Sequence, residues 1–141
     1  MRWILAVAAA LFALAAYAQD VGQVKNVKGA VHVEREGKLI PATAGMPVRS
    51  ADTLVTGADG AVGVTFLDNT MVSAGPSTVF AIESYRFDST THDGRFDASL
   101  KKGSLAVVSG KMVKQTPGSM RVRTPSSVMG VRGTEFLVRV D

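Results

Sequence analysis

Beyond residue 20 the apolar residues come in short runs, broken by Gly, Asp, Asn and Pro at intervals of roughly ten residues, the rhythm of an all-β chain. Within the runs, apolar and polar positions alternate, which is the period of a strand with one buried face. Residues 135–140 show it most cleanly: Phe136, Val138 and Val140 fall on one side, Glu135, Leu137 and Arg139 on the other. Val31 and Val33 alternate with His32 and Glu34, and Val62, Val64 and Phe66 share one face of a strand over 61–67. Residues 38–40 make a brief strand stopped by Pro41, and Pro47 argues against a central strand near 45–47, because proline has no N–H for a ladder. The stretch 50–56 runs into the turn 57–60, where Gly60 is expected at positive φ. Asp68-Asn69 reads as a two-residue hairpin turn, since Asn tolerates left-handed backbone, with residues 70–72 returning.

Gly75-Pro76-Ser77 is the next turn, followed by a long strand over 78–87 and a polar exposed loop over 88–94. Residues 95–100 and 104–109 read as a strand pair joined by a turn at Lys101-Lys102-Gly103, with a further loop around Pro117-Gly118. No stretch outside the first 18 residues keeps a helical apolar period. The fold class is therefore all-β, and two arrangements fit it: a layered, β-solenoid-like stack or a β-sandwich. At 141 residues the chain has room for one domain with a real core, and a charged fraction of only 20% excludes a disordered chain.

Residues 1–18 stand apart. Arg2 supplies a short positive start, residues 3–15 are apolar, and Ala16-Tyr17-Ala18 is an A-x-A cleavage site, together a secretory signal peptide. The apolar run falls short of the roughly 20 residues that span a bilayer, so the mature domain over 19–141 is expected to be periplasmic or secreted and not membrane-spanning. There is no cysteine, hence no disulfide framework, thiol nucleophile or thiolate metal site.

Candidate chemistry is sparse. His32 belongs to the polar side of a strand and His92 to a polar loop; no G-x-S-x-G, H-E-x-x-H or P-loop is present, so no catalytic residue is nominated. Asp88, Asp93 and Asp97 lack calcium-loop spacing, so no metal or other cofactor is expected. Acids gather in residues 51–100 and bases in 101–141, an arrangement that makes either a basic face for an anionic partner or, as expected here, two halves lying side by side. The bases are not interleaved with aromatics, which argues against nucleic acid.

The stretch 123–140, R-T-P-S-S-V-M-G-V-R-G-T-E-F-L-V-R-V, is the one most shaped by special residues. Pro125 pushes Thr124 to an extended backbone, and Gly130 and Gly133 bracket Val131 and Arg132 just before the last strand. The Arg132 guanidinium, with its planar fork of donors, is expected to reach back and lock that strand, or to stand exposed for a partner's carboxylate; Thr134 is expected to cap local backbone.

These residues carry a resemblance. T-P-x-x-V-x-G-V-R-G-T-x-F, here Thr124, Pro125, Val128, Gly130, Val131, Arg132, Gly133, Thr134 and Phe136, resembles the closing signature of the FecR domain family. T-G-A-D-G-A-V-G-V-T-F-L-D-N-T followed by G-P-S-T, and the L-x-x-G-x-L-x-V element at Leu100, Gly103, Leu105 and Val107, resemble its earlier parts, with Asp68-Asn69 where the family has Asp-Gly. The likeness covers roughly 45–140 and implies the layered arrangement. FecR-type regulators carry a periplasmic signal from an outer-membrane receptor to a cytoplasmic sigma factor. This sequence resembles only their central periplasmic domain, so direct control of a sigma factor is not expected.

Two functions stay open on the sequence. One is a non-enzymatic sensing or protein-interaction module of the cell envelope, binding another envelope protein by strand addition at a sheet edge. The other is a binder of envelope glycan or peptidoglycan, or a structural surface protein, for which Phe80, Tyr85, Phe87 and Phe96 are the rings available for stacking. The edge strand is expected at 21–27 or at 136–140.

Overall fold

A computed structural model describes residues 19–141. The proposed signal peptide over 1–18 lies outside the described residues. In chain order the elements are β1 (Asp20–Lys28), β2 (Val31–Arg35), β3 (Lys38–Pro41), β4 (Pro47–Arg49), β5 (Thr53–Thr56), β6 (Ala61–Phe66), β7 (Met71–Ala74), β8 (Val79–Phe87), β9 (Gly94–Val108), α1 (Lys111–Gln115), β10 (Met120–Arg123), β11 (Val128–Gly130) and β12 (Glu135–Val140). The all-β expectation holds. Pairing is antiparallel except where β10 lies parallel to β9, so the chain makes one curled sheet rather than coils stacked in parallel.

The curl turns on β9. Its first half lies between β8 and β10, and its second half between β7 and β12. One limb runs β3-β2-β5-β8-β9 and on to β10 and β11; the other runs β4-β1-β6-β7-β9 and on to β12. Alternate residues of both limbs point into one core: Val33, Leu54, Phe80, Ile82 and Leu100 from the first, Val24, Val64 and Val107 from the second. Phe66, Tyr85 and Phe96 stack at its centre, with ring centroids 4.7–5.4 Å apart. That is the range in which aromatic pairs gain beyond their buried area.

Residues 95–109 are thus one long strand and not the pair expected. Lys101 forms a bulge, since Val79 opposes Lys102 while Phe80 opposes Leu100. Gly103 then takes φ 98°, carrying the strand from one limb to the other without a turn. Gly60 departs as well: it is not among the glycines at positive φ, and it is small because a Cβ would collide with the Ala30 carbonyl. Pro47 sits in a three-residue edge strand, β4, where a missing N–H costs nothing. The short helix α1 departs from the helix-free reading, having too few residues for a periodic signal; Met112 and Val113 bury into the core from it.

Two buried carboxylates tie the limbs. Asp52 takes a bidentate pair from Arg35, Nε at 2.9 Å and Nη2 at 2.8 Å, and accepts the Arg49 N–H at 2.8 Å, joining β2 to the β4–β5 turn. Asp68 is fully buried at the β6–β7 turn. Its carboxylate accepts the Tyr85 hydroxyl at 2.8 Å, the Thr70 hydroxyl at 2.7 Å, and the Met112 N–H at the start of α1 at 3.1 Å. Burial, and then the nearby Asp68 charge, push the Tyr85 phenol well above its ordinary value.

Candidate functional site: the open edge of the last strand

The closing signature builds a crossing. Thr124 and Ser127 close the β10–β11 turn, Thr124 N–H donating to the Ser127 carbonyl at 2.8 Å and Ser127 N–H to the Thr124 hydroxyl at 3.1 Å. Pro125 is exposed at the tip, and Gly130 pairs with Arg121. Val131 is the plug: it is fully buried, its N–H donates to the Met120 carbonyl at 2.8 Å, and its carbonyl accepts Gly118 N–H at 3.0 Å. Gly133, at φ 79°, turns the chain into β12; the Thr134 carbonyl accepts Ser109 N–H at 2.8 Å, and Phe136 packs half-buried on the core.

Arg132 does not lock the strand. With Val131 pointing inward, the next side chain points out, and the guanidinium is exposed with no hydrogen bond or ion pair among the described residues. Backbone pairing and the Val131 plug do that work. Thr134 contributes its carbonyl, not a hydroxyl cap. The signature positions therefore form a continuous scaffold, and what it presents is β12.

β12 pairs with β9 on one side, Glu135 opposite Val108 through Val140 opposite Gly103, and among the described residues nothing pairs its other side. Directly opposed residues in an antiparallel ladder alternate between bonded and non-bonded pairs. The Ser109–Thr134 bond makes Phe136, Val138 and Val140 the residues whose backbone bonds to β9. The N–H and C=O groups of Glu135, Leu137 and Arg139 consequently point out of the sheet, without a partner among the described residues.

The face beside them is small and apolar. Leu137 is 79% exposed and opposes Ala106, which opposes Ser73, which opposes Gly63. Leu137, Ala106 and Ser73, together with Ala61, Ser104 and Arg139, line an open groove of about 540 Å³. The other edges are guarded in the usual ways, by shortness, lysine or proline. β4 has three residues and Pro47, β3 has Lys38 and Pro41, and β11 has three residues ending in Gly130. β12 has six residues in unbroken register, with neither lysine nor proline. Of the two edge candidates, the final strand is open along its whole outer side; β1 pairs with β6 on one side and over Asp20–Gln23 with β4 on the other.

The remaining candidates lie elsewhere. His32 stands on β2 between Pro41 and Val55, and His92 stacks on Phe87 at 6.0 Å. Phe80 and Phe96 are core, while Tyr85 and Phe87 are half-buried against it. Late bases do meet earlier acids at Arg123–Glu83, 3.8 Å apart, but the pair is largely exposed and contributes little. No helix among the described residues is long and apolar enough to cross a membrane.

A family model described as FecR protein matches residues 52–141, well over half of the chain. The match runs from the Asp52 turn through β12. Comparison with curated proteins finds no match, and neither does comparison with solved structures.

Proposed function

Because the chain belongs to the FecR family, we propose that it is a non-enzymatic module of the bacterial envelope that holds a protein partner along the open edge of β12. The family is one of signalling and sensing domains, generally of the envelope or periplasm, and is not known for enzymes. Export through the 1–18 segment would deliver the 19–141 domain to that compartment. The observation that carries the reading is the row of free N–H and C=O groups at Glu135, Leu137 and Arg139 beside a groove of small side chains. An extended segment completing that row gains main-chain hydrogen bonds, with alternate side chains reading the groove. A protein partner is favoured over glycan because the four candidate rings are buried or half-buried and cannot offer a flat stacking face.

Leu137→Pro tests this. Its ring removes one outward N–H and blocks the edge, while the bonds of Phe136 and Val138 to β9 remain. The variant should stay folded by circular dichroism and capture at least ~10-fold less of any envelope protein retained by the unaltered chain, the loss of about 1.4 kcal/mol of binding. Equal capture would exclude the β12 edge as the binding surface.

A further inference from the structure

Resting on that reading, we infer that the strand taken up by β12 is the β12 of a second copy of this chain, paired antiparallel about Leu137. The free backbone groups belong to Glu135, Leu137 and Arg139, and a two-fold axis through Leu137 opposes each to one of the same set. Leu137 meets Leu137 of the second copy, and Glu135 meets Arg139 of the second copy, on both sides of the axis. Every opposed pair can then exchange both N–H···O bonds.

The side chains fit the same register. Opposed residues in an antiparallel pair project to the same face, so the outer face gains two Glu–Arg pairs flanking a Leu–Leu contact. The inner face sets Phe136 against Val138 of the second copy, extending an apolar layer that is already half-buried. Moving the axis to Val138 would oppose Glu135 to Asp141 of the second copy, like charge to like. A parallel pairing would set glutamate beside glutamate. Among the two-fold antiparallel registers, all of which oppose outward residue to outward residue, the one centred on Leu137 is thus the one with complementary charge.

Nothing local competes for these groups. The Arg139–Asp141 pair spans 3.8 Å with both side chains almost wholly in solvent, and Glu135 has no ion pair among the described residues. The contact is isologous, as two-fold dimers require. One strand pair of this length buries less than the roughly 1,200 Å² of a stable interface, so the association is weak and concentration-dependent.

Sedimentation of the full chain at low salt, from micromolar to millimolar concentration, tests the inference. The unaltered chain should pass from monomer to dimer as concentration rises. Glu135→Arg alone and Arg139→Glu alone each create like-charge pairs and should shift the midpoint at least ~10-fold upward, a penalty of about 1.4 kcal/mol. An equimolar mixture of the two single variants re-forms unlike pairs across the axis and should associate again. A chain that stays monomeric, single variants that associate like the original, or a mixture that does not recover would overturn the self-pairing. If self-association is absent while Leu137→Pro still abolishes capture of a different envelope protein, the second copy is the wrong occupant and the edge reading stands. If capture is also insensitive to Leu137→Pro, both fall.

Discussion

Gly103→Ala should cost the chain roughly 3 kcal/mol or more, among the largest losses for so small a change and a large share of the about 5–15 kcal/mol that holds a domain together. Gly103 is the point where β9 passes from one limb of the sheet to the other, and its φ of 98° is a conformation L side chains rarely adopt. A Cβ there would overlap the Thr78 backbone and hydroxyl, which do not yield easily: Thr78 Oγ1 accepts Ser104 N–H at 3.0 Å and its side chain is locked in the core. Gly37→Ala separates the two causes. Gly37 has φ 77° but nothing within 4 Å of its would-be Cβ, so it should lose only the roughly 1–2 kcal/mol of left-handed backbone. Denaturant midpoints measured side by side check this; equal losses at both positions would mean that the close packing at Gly103 is unimportant.

Asp68→Ala is the second large loss, about 3–5 kcal/mol, because it leaves several buried donors without an acceptor, each costing about 1–3 kcal/mol. The Tyr85 and Thr70 hydroxyls and the Met112 N–H all lose their partner, and α1 keeps only the Lys111 and Gly110 N–H bonds to the β6–β7 turn. Asp68→Asn keeps one acceptor oxygen and should lose less than the alanine variant. The same cluster sets an alkaline limit. Tyr85 is held neutral above its ordinary value, so its contribution is complete below pH ~10 and is lost as pH rises beyond that. Relative to Tyr85→Phe, the unaltered chain should therefore lose stability more steeply above pH ~10. Parallel pH profiles would show that the Asp68–Tyr85 contact does not couple to folding.

Much of this architecture is written locally and can be read locally. The alternation in 135–140 gave both the strand and its faces, and Asn69 takes φ 71° as its turn requires, although the Phe66–Thr70 bond makes the loop span 67–69 rather than two residues. What could not be read depends on distant partners. Lys101-Lys102-Gly103 carries the signals of a turn, yet Thr78 and β12 hold it as a bulge and bend within one strand. Asp68 reads as a turn residue and is that, but its burial depends on a helix more than forty residues away, to which it is bonded. Arg132 looked like a clamp because of its glycine neighbours; the inward turn of Val131, set by Met120 and Gly118, decides that it faces water. The openness of β12 is likewise not local: alternation alone does not separate it from β1, and only the pairing of β1 with β6 and, over Asp20–Gln23, with β4 does.

Residue-resolved amide exchange on the dilute chain bears most directly on the open edge. The N–H groups of Glu135, Leu137 and Arg139 should exchange fast while those of Phe136, Val138 and Val140, bonded to β9, are protected, giving a strict alternation along one strand. Uniform protection of all six amides would mean that the outer side of β12 is already covered, and the edge would not be a site at all.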